Sequence, residues 1–235
     1  MEFPIRINKY LAEKGYSTRT GADELISAGK VKINGKKAVL GMKVMEKDIV
    51  IVDGTSKKAY VYYAYNKPAG IITNAPQKGE VDIIHYTRFP HKVFPIGRLD
   101  KDSDGLIIMT NDGRITDRLL NPEKVHEKEY TVTVDKPITP EFETKMKKGV
   151  KIISQGEKYT TKPAKVKILS TKKFSIVLTE GKKRQIRRMC EALGQQVQTL
   201  TRVRIMNILL GSLKPGAYLE ITDRNLSDFL KLLKL

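Results

Sequence analysis

The order of strand-like and helix-like segments after residue 60 constrains the fold more than any other feature of the sequence. Strand-like runs occur at residues 60–66, 128–134, 164–169, 173–179 and 197–203, with a few helical stretches between them. Because the two types do not alternate strictly, the pattern disfavours a doubly wound parallel sheet. The sequence therefore predicts an α+β fold with a largely antiparallel or mixed central sheet.

The first part of the chain has the pattern of a small separate module. Residues 6–14 place apolar side chains at helical spacing, and Gly15 can end that helix. A second helix can start from a Thr18 or Thr20 cap and run to Gly29. Two short helices followed by strand material predict a compact basic module.

A hairpin and a polar stretch complete this module. Residues 31–33 alternate in polarity and are followed by Asn34-Gly35, the pair most typical of a two-residue hairpin turn. Residues 49–52 supply further strand material, and residues 54–59 are polar, small and charged, as in a linker. We therefore expect an N-terminal domain at residues 1–53, a linker at 54–59 and a second domain at 60–235.

The charge of the chain indicates a polyanionic partner. The sequence has 44 Lys and Arg residues against 26 Asp and Glu residues, a formal net charge of +18 that is spread over both predicted domains. Such a surface suits nucleic acid, because neutralised phosphates release condensed counterions. In the N-terminal module, Arg6, Lys9 and Arg19 are candidates for phosphate contacts; a solvated basic face is the alternative explanation.

Cysteine and histidine usage limits the other classes of function. A single cysteine, Cys190, excludes an internal disulfide and a multi-cysteine zinc site. The three histidines are scattered, and neither a signal-like apolar region nor a membrane-spanning run is present. We expect a cytoplasmic protein with no resident metal.

The segment at residues 94–111 allows three interpretations. In the first, Asp100, Asp102 and Asp104 occupy alternate positions of a calcium-binding loop and Gly105 lies at its sharp turn. The twelfth position is Asn111, which cannot supply the bidentate carboxylate. The second interpretation is a purely structural polar turn before a buried strand at residues 106–109.

The third interpretation is a resemblance carried by several ordered motifs. They are Lys67-Pro68-Ala69-Gly70 through Asn74, Gly97-Arg98-Leu99-Asp100, Asp102-Ser103-Asp104-Gly105-Leu106 and Thr110-Asn111-Asp112-Gly113. In this order they resemble the RNA pseudouridine synthases, specifically the RsuA/RluF branch that acts on ribosomal RNA, and the RluF-like large-subunit enzymes most. Residues 6–52 resemble the S4-type RNA-binding domain that is common at the N-terminus in this branch.

The resemblance implies a role for three residues. Asp100 matches the catalytic aspartate, acting in its ionised form to promote cleavage of the glycosidic bond. Tyr130, in His126-Glu127-Lys128-Glu129-Tyr130, matches the tyrosine that stacks on the target base; a packed core tyrosine is the alternative.

Arg187 is the expected cation for Asp100. It lies in a basic motif, residues 181–189, that also matches the family. Burial raises the pKa of a lone carboxylate, so a nearby cation has to keep it charged. If residues 184–193 form a helix, Arg187 lies at the border of its apolar stripe and can reach a cleft. A surface pair with Glu191 is the alternative.

Four further basic residues are candidates for RNA contacts. Arg98 could fill the gap that a flipped-out nucleotide leaves, or form a structural salt bridge with a nearby Asp. Arg184 and Arg188 suit RNA phosphates or solvent, and Lys67 is expected in a supporting rather than a chemical role.

Together these features predict an enzyme that isomerises uridine to pseudouridine in structured RNA without a cofactor. Large-subunit ribosomal RNA is the expected substrate, transfer RNA the alternative one, and a monomer the expected state. Two other classes stay open: a non-catalytic S4-type RNA-binding protein, and a carboxylate-metal nuclease that uses Asp100, Asp102 and Asp104. The nuclease would be sensitive to chelators, and the binding protein would bind RNA without changing it.

Overall fold

A computed structural model describes residues 2–54, 59–121, 124–154 and 156–235. Most of the predicted linker, residues 55–58, lies outside the described residues. Among the described residues, no helix is both long enough and apolar enough to cross a membrane.

The N-terminal module has the two helices and the hairpin that the sequence predicts. Its elements are β1 (Ile5–Arg6), α1 (Ile7–Glu13), α2 (Arg19–Ser27), β2 (Val31–Ile33), β3 (Lys36–Lys37), β4 (Lys43–Val44) and β5 (Val50–Val52). The Thr18 side chain caps α2 by accepting from the Gly21 amide at 3.1 Å. Asn34 and Gly35 both have positive φ, as the two-residue turn between β2 and β3 requires. The apolar faces of α1 and α2 pack on these strands as one core.

The rest of the chain forms a larger mixed domain. In chain order its elements are β6 (Tyr62–Lys67), α3 (Ile83–Tyr86), β7 (Phe94–Ile96), β8 (Asp104–Thr110), α4 (Arg114–Leu120), β9 (Lys128–Val134), α5 (Pro140–Lys148), β10 (Lys151–Ser154), β11 (Glu157–Thr160), β12 (Lys165–Ser170), β13 (Lys173–Leu178), α6 (Gln185–Ala192), β14 (Val197–Ile205), β15 (Ile208–Leu209), β16 (Tyr218–Glu220) and α7 (Asp223–Leu232). Nine of the strands form one sheet, in the order β12-β13-β9-β14-β8-β6-β16, with β15 on β14 and β7 on β8. Only the β14–β8 pair is parallel among the described strands, so the predicted α+β fold with a mixed sheet is confirmed.

The middle of the sheet is buried on both faces, which explains the continuous apolar run at residues 106–109. Alternate residues of β6 and β8 contribute to two different cores, one of them beneath α4 and α7. A third core lies between β9, β13, α5 and α6. β8 leads from the polar turn straight into this buried centre, whereas a calcium-binding hand would require a helix there.

Gly105 lies opposite Arg202 in the parallel pair of β8 and β14, and its backbone has a φ of +107°. A Cβ at this position would lie 2.4 Å from the carbonyl oxygen and 2.5 Å from the amide nitrogen of Arg202. We expect Gly105→Ala to lower the free energy of unfolding by about 3 kcal/mol, because a strained φ adds to a clash with backbone. Chemical denaturation measures this loss.

Gly113→Ala is the matched control. Gly113 has a φ of −66°, and an added Cβ would meet no described atom within 4 Å. We expect it to cost less than about 1 kcal/mol. Equal losses for the two variants would contradict the close approach of the strands.

Candidate active site

A cavity of about 660 Å³ opens where the turn after β7, the strands β9 and β14 and the loop before α6 meet. Its wall contains four of the predicted site residues, namely Arg98, Asp100, Tyr130 and Arg184. The fold thus brings predicted residues from three separate segments into one cavity. Basic side chains outnumber acidic ones in its wall by seven to two, which suits an anionic polymer.

Backbone contacts fix the loop that carries Asp100. The Thr73 hydroxyl donates to the Leu99 carbonyl at 2.8 Å and accepts from the Leu99 amide at 3.1 Å. The Gly70 amide donates to the Lys101 carbonyl at 2.7 Å. The segment at residues 67–73 therefore holds the loop that carries Asp100, with contacts to the residue on either side of it.

The Asp100 carboxylate itself is partly exposed in the cavity wall. Within the described ranges, no side chain hydrogen-bonds to it or forms an ion pair with it. An anchored backbone with a free carboxylate leaves that group available to a substrate.

The carboxylate of Asp102, two residues further on, pairs with both Arg184 and Arg187. The sequence predicts other partners for them, RNA phosphates or solvent for Arg184 and Asp100 for Arg187. Arg184 donates two hydrogen bonds to its carboxylate, at 3.0 and 3.1 Å, and Arg187 Nε lies 3.3 Å from it. Burial would raise the pKa of Asp102, but hydrogen bonding from Arg184 and the charges of both arginines outweigh it and hold the pKa below its ordinary value. Asp102 therefore links two arginines to the turn that follows Asp100.

Arg187 is not paired with Asp100, so the direct contact expected from the sequence is wrong. Its guanidinium donates to the carbonyls of Asp102 at 2.8 Å and Val197 at 3.2 Å, and to the Ser103 hydroxyl at 3.3 Å. Helix α6 has the predicted apolar stripe, and Arg187 lies at its border as expected. It reaches the loop after Asp100 rather than the carboxylate, and it forms no pair with Glu191 among the described side chains.

Tyr130 is the third residue of β9 and lies half-buried at the cavity wall. Its cross-strand neighbours are Ile176 on β13 and Arg202 on β14. Its side chain packs against two of the apolar cores, so the ring is held by the sheet and lines the cavity at the same time.

Lys67 is completely buried, and the predicted RNA contact is wrong for this residue. Its ammonium donates to the carbonyls of Pro68 at 2.8 Å and Ile71 at 2.7 Å, inside the segment that supports the Asp100 loop. Burial lowers the pKa of Lys67 to about 8, although the charges of Asp104, Asp100 and Asp102 oppose the shift. Lys67 therefore stabilises the segment that holds the Asp100 loop.

The remaining basic candidates lie at three places. Arg98 is exposed at the cavity and makes no ion pair with any described carboxylate, which removes its structural alternative. Arg188 is half-buried and does not line the cavity. A hollow of about 300 Å³ on the N-terminal module brings together Arg6, Lys9 and Arg19, all exposed.

Sequence reasoning missed three residues of this site. Glu180 is buried and accepts hydrogen bonds from the Tyr159 hydroxyl, the Lys162 amide and the Gln185 side chain, which fixes the loop before α6. Lys128 and Arg202 also line the cavity. Lys128 could have been found, because it shares the strand face of Tyr130.

Comparison with known proteins matches both halves of the chain. Residues 61–192 match the family described as RNA pseudouridylate synthase, and residues 5–50 match the S4 domain. The chain is 43% identical over 235 residues to the dual-specificity RNA pseudouridine synthase RluF of Escherichia coli (strain K12), covering 98% of this chain and 80% of that enzyme. It is 37% identical to the ribosomal large subunit pseudouridine synthase B of Bacillus subtilis (strain 168), covering 92% of each.

A solved structure agrees with these matches. The crystal structure of a pseudouridylate synthase superposes with a TM-score of 0.69 at 31% identity, covering 97% of this chain and 99% of that one. The likeness therefore extends over both the small module and the domain that carries the cavity.

Proposed function

The chain belongs to the RNA pseudouridine synthases, and from that premise we propose that it isomerises uridine to pseudouridine in large-subunit ribosomal RNA, with Asp100 as the catalytic carboxylate. The observation that carries this proposal is the Asp100 carboxylate, free of described partners, in the wall of a cavity that Tyr130 shares. A carboxylate that is not paired with a cation can contact the electron-deficient C1′ of the ribose as the glycosidic bond weakens.

Each element of the site has a part in this proposal. Tyr130 stacks on the uracil ring, because stacking allows the base to rotate where a fixed set of hydrogen bonds would not. Arg187 and Arg184 act through Asp102: they hold the loop, and so position Asp100. Arg98 contacts the RNA at the gap left by the flipped nucleotide, since it is exposed beside Asp100.

We propose a division of labour between the domains, at residues 1–53 and 60–235 with the linker at 54–59. Arg6, Lys9 and Arg19 bind RNA phosphates from the N-terminal module, and Arg184 and Arg188 do so from the larger domain. These contacts place the enzyme on its RNA, whereas the cavity selects the uridine. A single chain supplies all the proposed catalytic groups, so the site needs no second copy, and we propose a monomer that acts in the cytoplasm.

Release of tritium from uracil C5 tests the reaction, because C5 loses its hydrogen when it bonds to C1′. Large-subunit ribosomal RNA and transfer RNA, each transcribed with uridine tritiated at C5, are incubated with the protein. We expect release from the ribosomal transcript. Binding of that RNA with no release from either transcript would favour the non-catalytic RNA-binding alternative.

A further inference from the structure

Two cations flank Tyr130 at the inner wall of the cavity. Lys128 lies two residues before Tyr130 on β9, so both side chains are on the same face of the strand. Arg202 on β14 is directly opposite Tyr130 in the antiparallel register, which places it on that face as well. All three residues line the cavity.

Neither cation has a carboxylate partner among the residues that the structure describes. Arg202 is 3% exposed; its Nε donates to the Leu106 carbonyl at 2.6 Å, and its Nη2 is buried without a hydrogen bond. Burial, together with the charge of Arg202, lowers the pKa of Lys128 to about 8, so Lys128 is still mainly protonated at pH 7. A buried Arg202 and a half-buried Lys128 without counter-charges are costly, and such a pair favours a ligand that brings negative charge.

The isomerisation produces such a charge. The C1′–N1 bond breaks with both electrons going to uracil, which becomes an anion while C1′ becomes electron-deficient opposite Asp100. The C1′–C5 bond then forms with an electron pair of the base, C5 loses a proton and N1 gains one. Atoms and electrons balance without an oxidant, a metal or a co-substrate.

We propose that Lys128 is a further catalytic residue, which contacts the uracil stacked on Tyr130 and stabilises the negative charge that the base acquires when the C1′–N1 bond breaks. Arg202, buried in the same wall, adds a fixed positive charge to it. Asp100 thus faces the electron-deficient ribose, whereas the two cations face the negatively charged uracil. This inference rests on the proposed function.

Single-turnover kinetics with excess enzyme at pH 7 test it, with formation of the C1′–C5 bonded nucleoside followed by chromatography of the digested RNA. A C5 that carries fluorine has no proton to lose, so the product expected from 5-fluorouridine is the C1′–C5 bonded nucleoside with water added across its N1–C6 bond. Two transcripts of large-subunit ribosomal RNA are compared, one with uridine and one with 5-fluorouridine throughout. Fluorine withdraws electrons and stabilises the uracil anion by itself. We expect Lys128→Met to slow the conversion of uridine about 100-fold, with RNA affinity little changed. We expect the same variant to slow the conversion of 5-fluorouridine only about 10-fold or less.

Two further variants complete the test. Lys128→Arg keeps the charge and should retain most of the uridine rate, while Lys167→Met removes an exposed charge on β12 and should leave the rate unchanged. Slowing by the same factor on both transcripts, or no slowing at all, would overturn the assignment of Lys128. If the wild-type enzyme converts neither transcript, the proposed function fails, and this inference fails with it.

Discussion

Asp100→Asn is expected to lower the rate of pseudouridine formation at least about 1,000-fold, because the neutral amide is a poor nucleophile and cannot balance positive charge at C1′. The substitution keeps the shape of the side chain. The rate is measured by tritium release from ribosomal RNA under single-turnover conditions.

Folding and RNA binding should survive this change. The Asp100 side chain makes no hydrogen bond or ion pair with the described residues, and its loop is held through the backbone by Thr73 and Gly70. We expect the free energy of unfolding to change by less than about 0.5 kcal/mol. Asp117→Asn, at an exposed carboxylate of α4, is the matched control for the loss of one charge. Activity that persists in Asp100→Asn would remove the catalytic assignment.

Asp102→Ala is expected to lower the rate about 100-fold although Asp102 is not proposed to touch the substrate. The variant releases Arg184 from the loop that carries Asp100 and leaves Arg187 held there only by the backbone carbonyl at position 102 and the Ser103 hydroxyl. A displacement of about 1 Å at a reacting group costs a factor of this order. The loss should appear in the chemical rate constant more than in RNA affinity. Single-turnover rates over a range of enzyme concentrations separate the two.

The same variant should be less stable. Arg187 is only 13% exposed and would lose its charged partner, whereas the Asp102 side chain is 46% exposed and partly screened by solvent. We therefore expect a loss of roughly 2 kcal/mol in the free energy of unfolding, below the cost of breaking a fully buried pair. Glu157→Ala removes an exposed carboxylate that has no ion pair among the described residues, and should have neither effect. An Asp102→Ala enzyme as active and as stable as the wild type would contradict the positioning role.

The sequence predicted local structure well where apolar residues recur with the same period as buried positions in the fold. The run at residues 128–134 is β9 from end to end, and the hairpin turn at Asn34-Gly35 has the backbone conformation that its residues prefer. The hairpin of β10 and β11 was missed, because Ile153 is exposed and the flanking residues are charged, so no clear alternation marks it. The short strands β7, β15 and β16 are likewise defined by their neighbours and not by their own sequence.

The contacts of the site depend on packing between distant segments. The position of Arg187 on its helix followed from helical periodicity. Its partner did not, because the sequence alone does not distinguish Asp100 from Asp102 as the carboxylate that Arg187 pairs with. The burial of Lys67 could not be predicted either, since its partners are backbone carbonyls of the turn that follows it. Arg202 meets Tyr130 only through the pairing of β9 with β14.

Mapping pseudouridines in large-subunit ribosomal RNA tests the central claim most directly. RNA is compared from cells that lack this protein and from the same cells supplied with the wild-type chain or with Asp100→Asn. At least one pseudouridine should be absent without the protein, return with the wild type and stay absent with Asp100→Asn. A complete set of pseudouridines in the cells that lack the protein, or restoration by Asp100→Asn, would contradict the account.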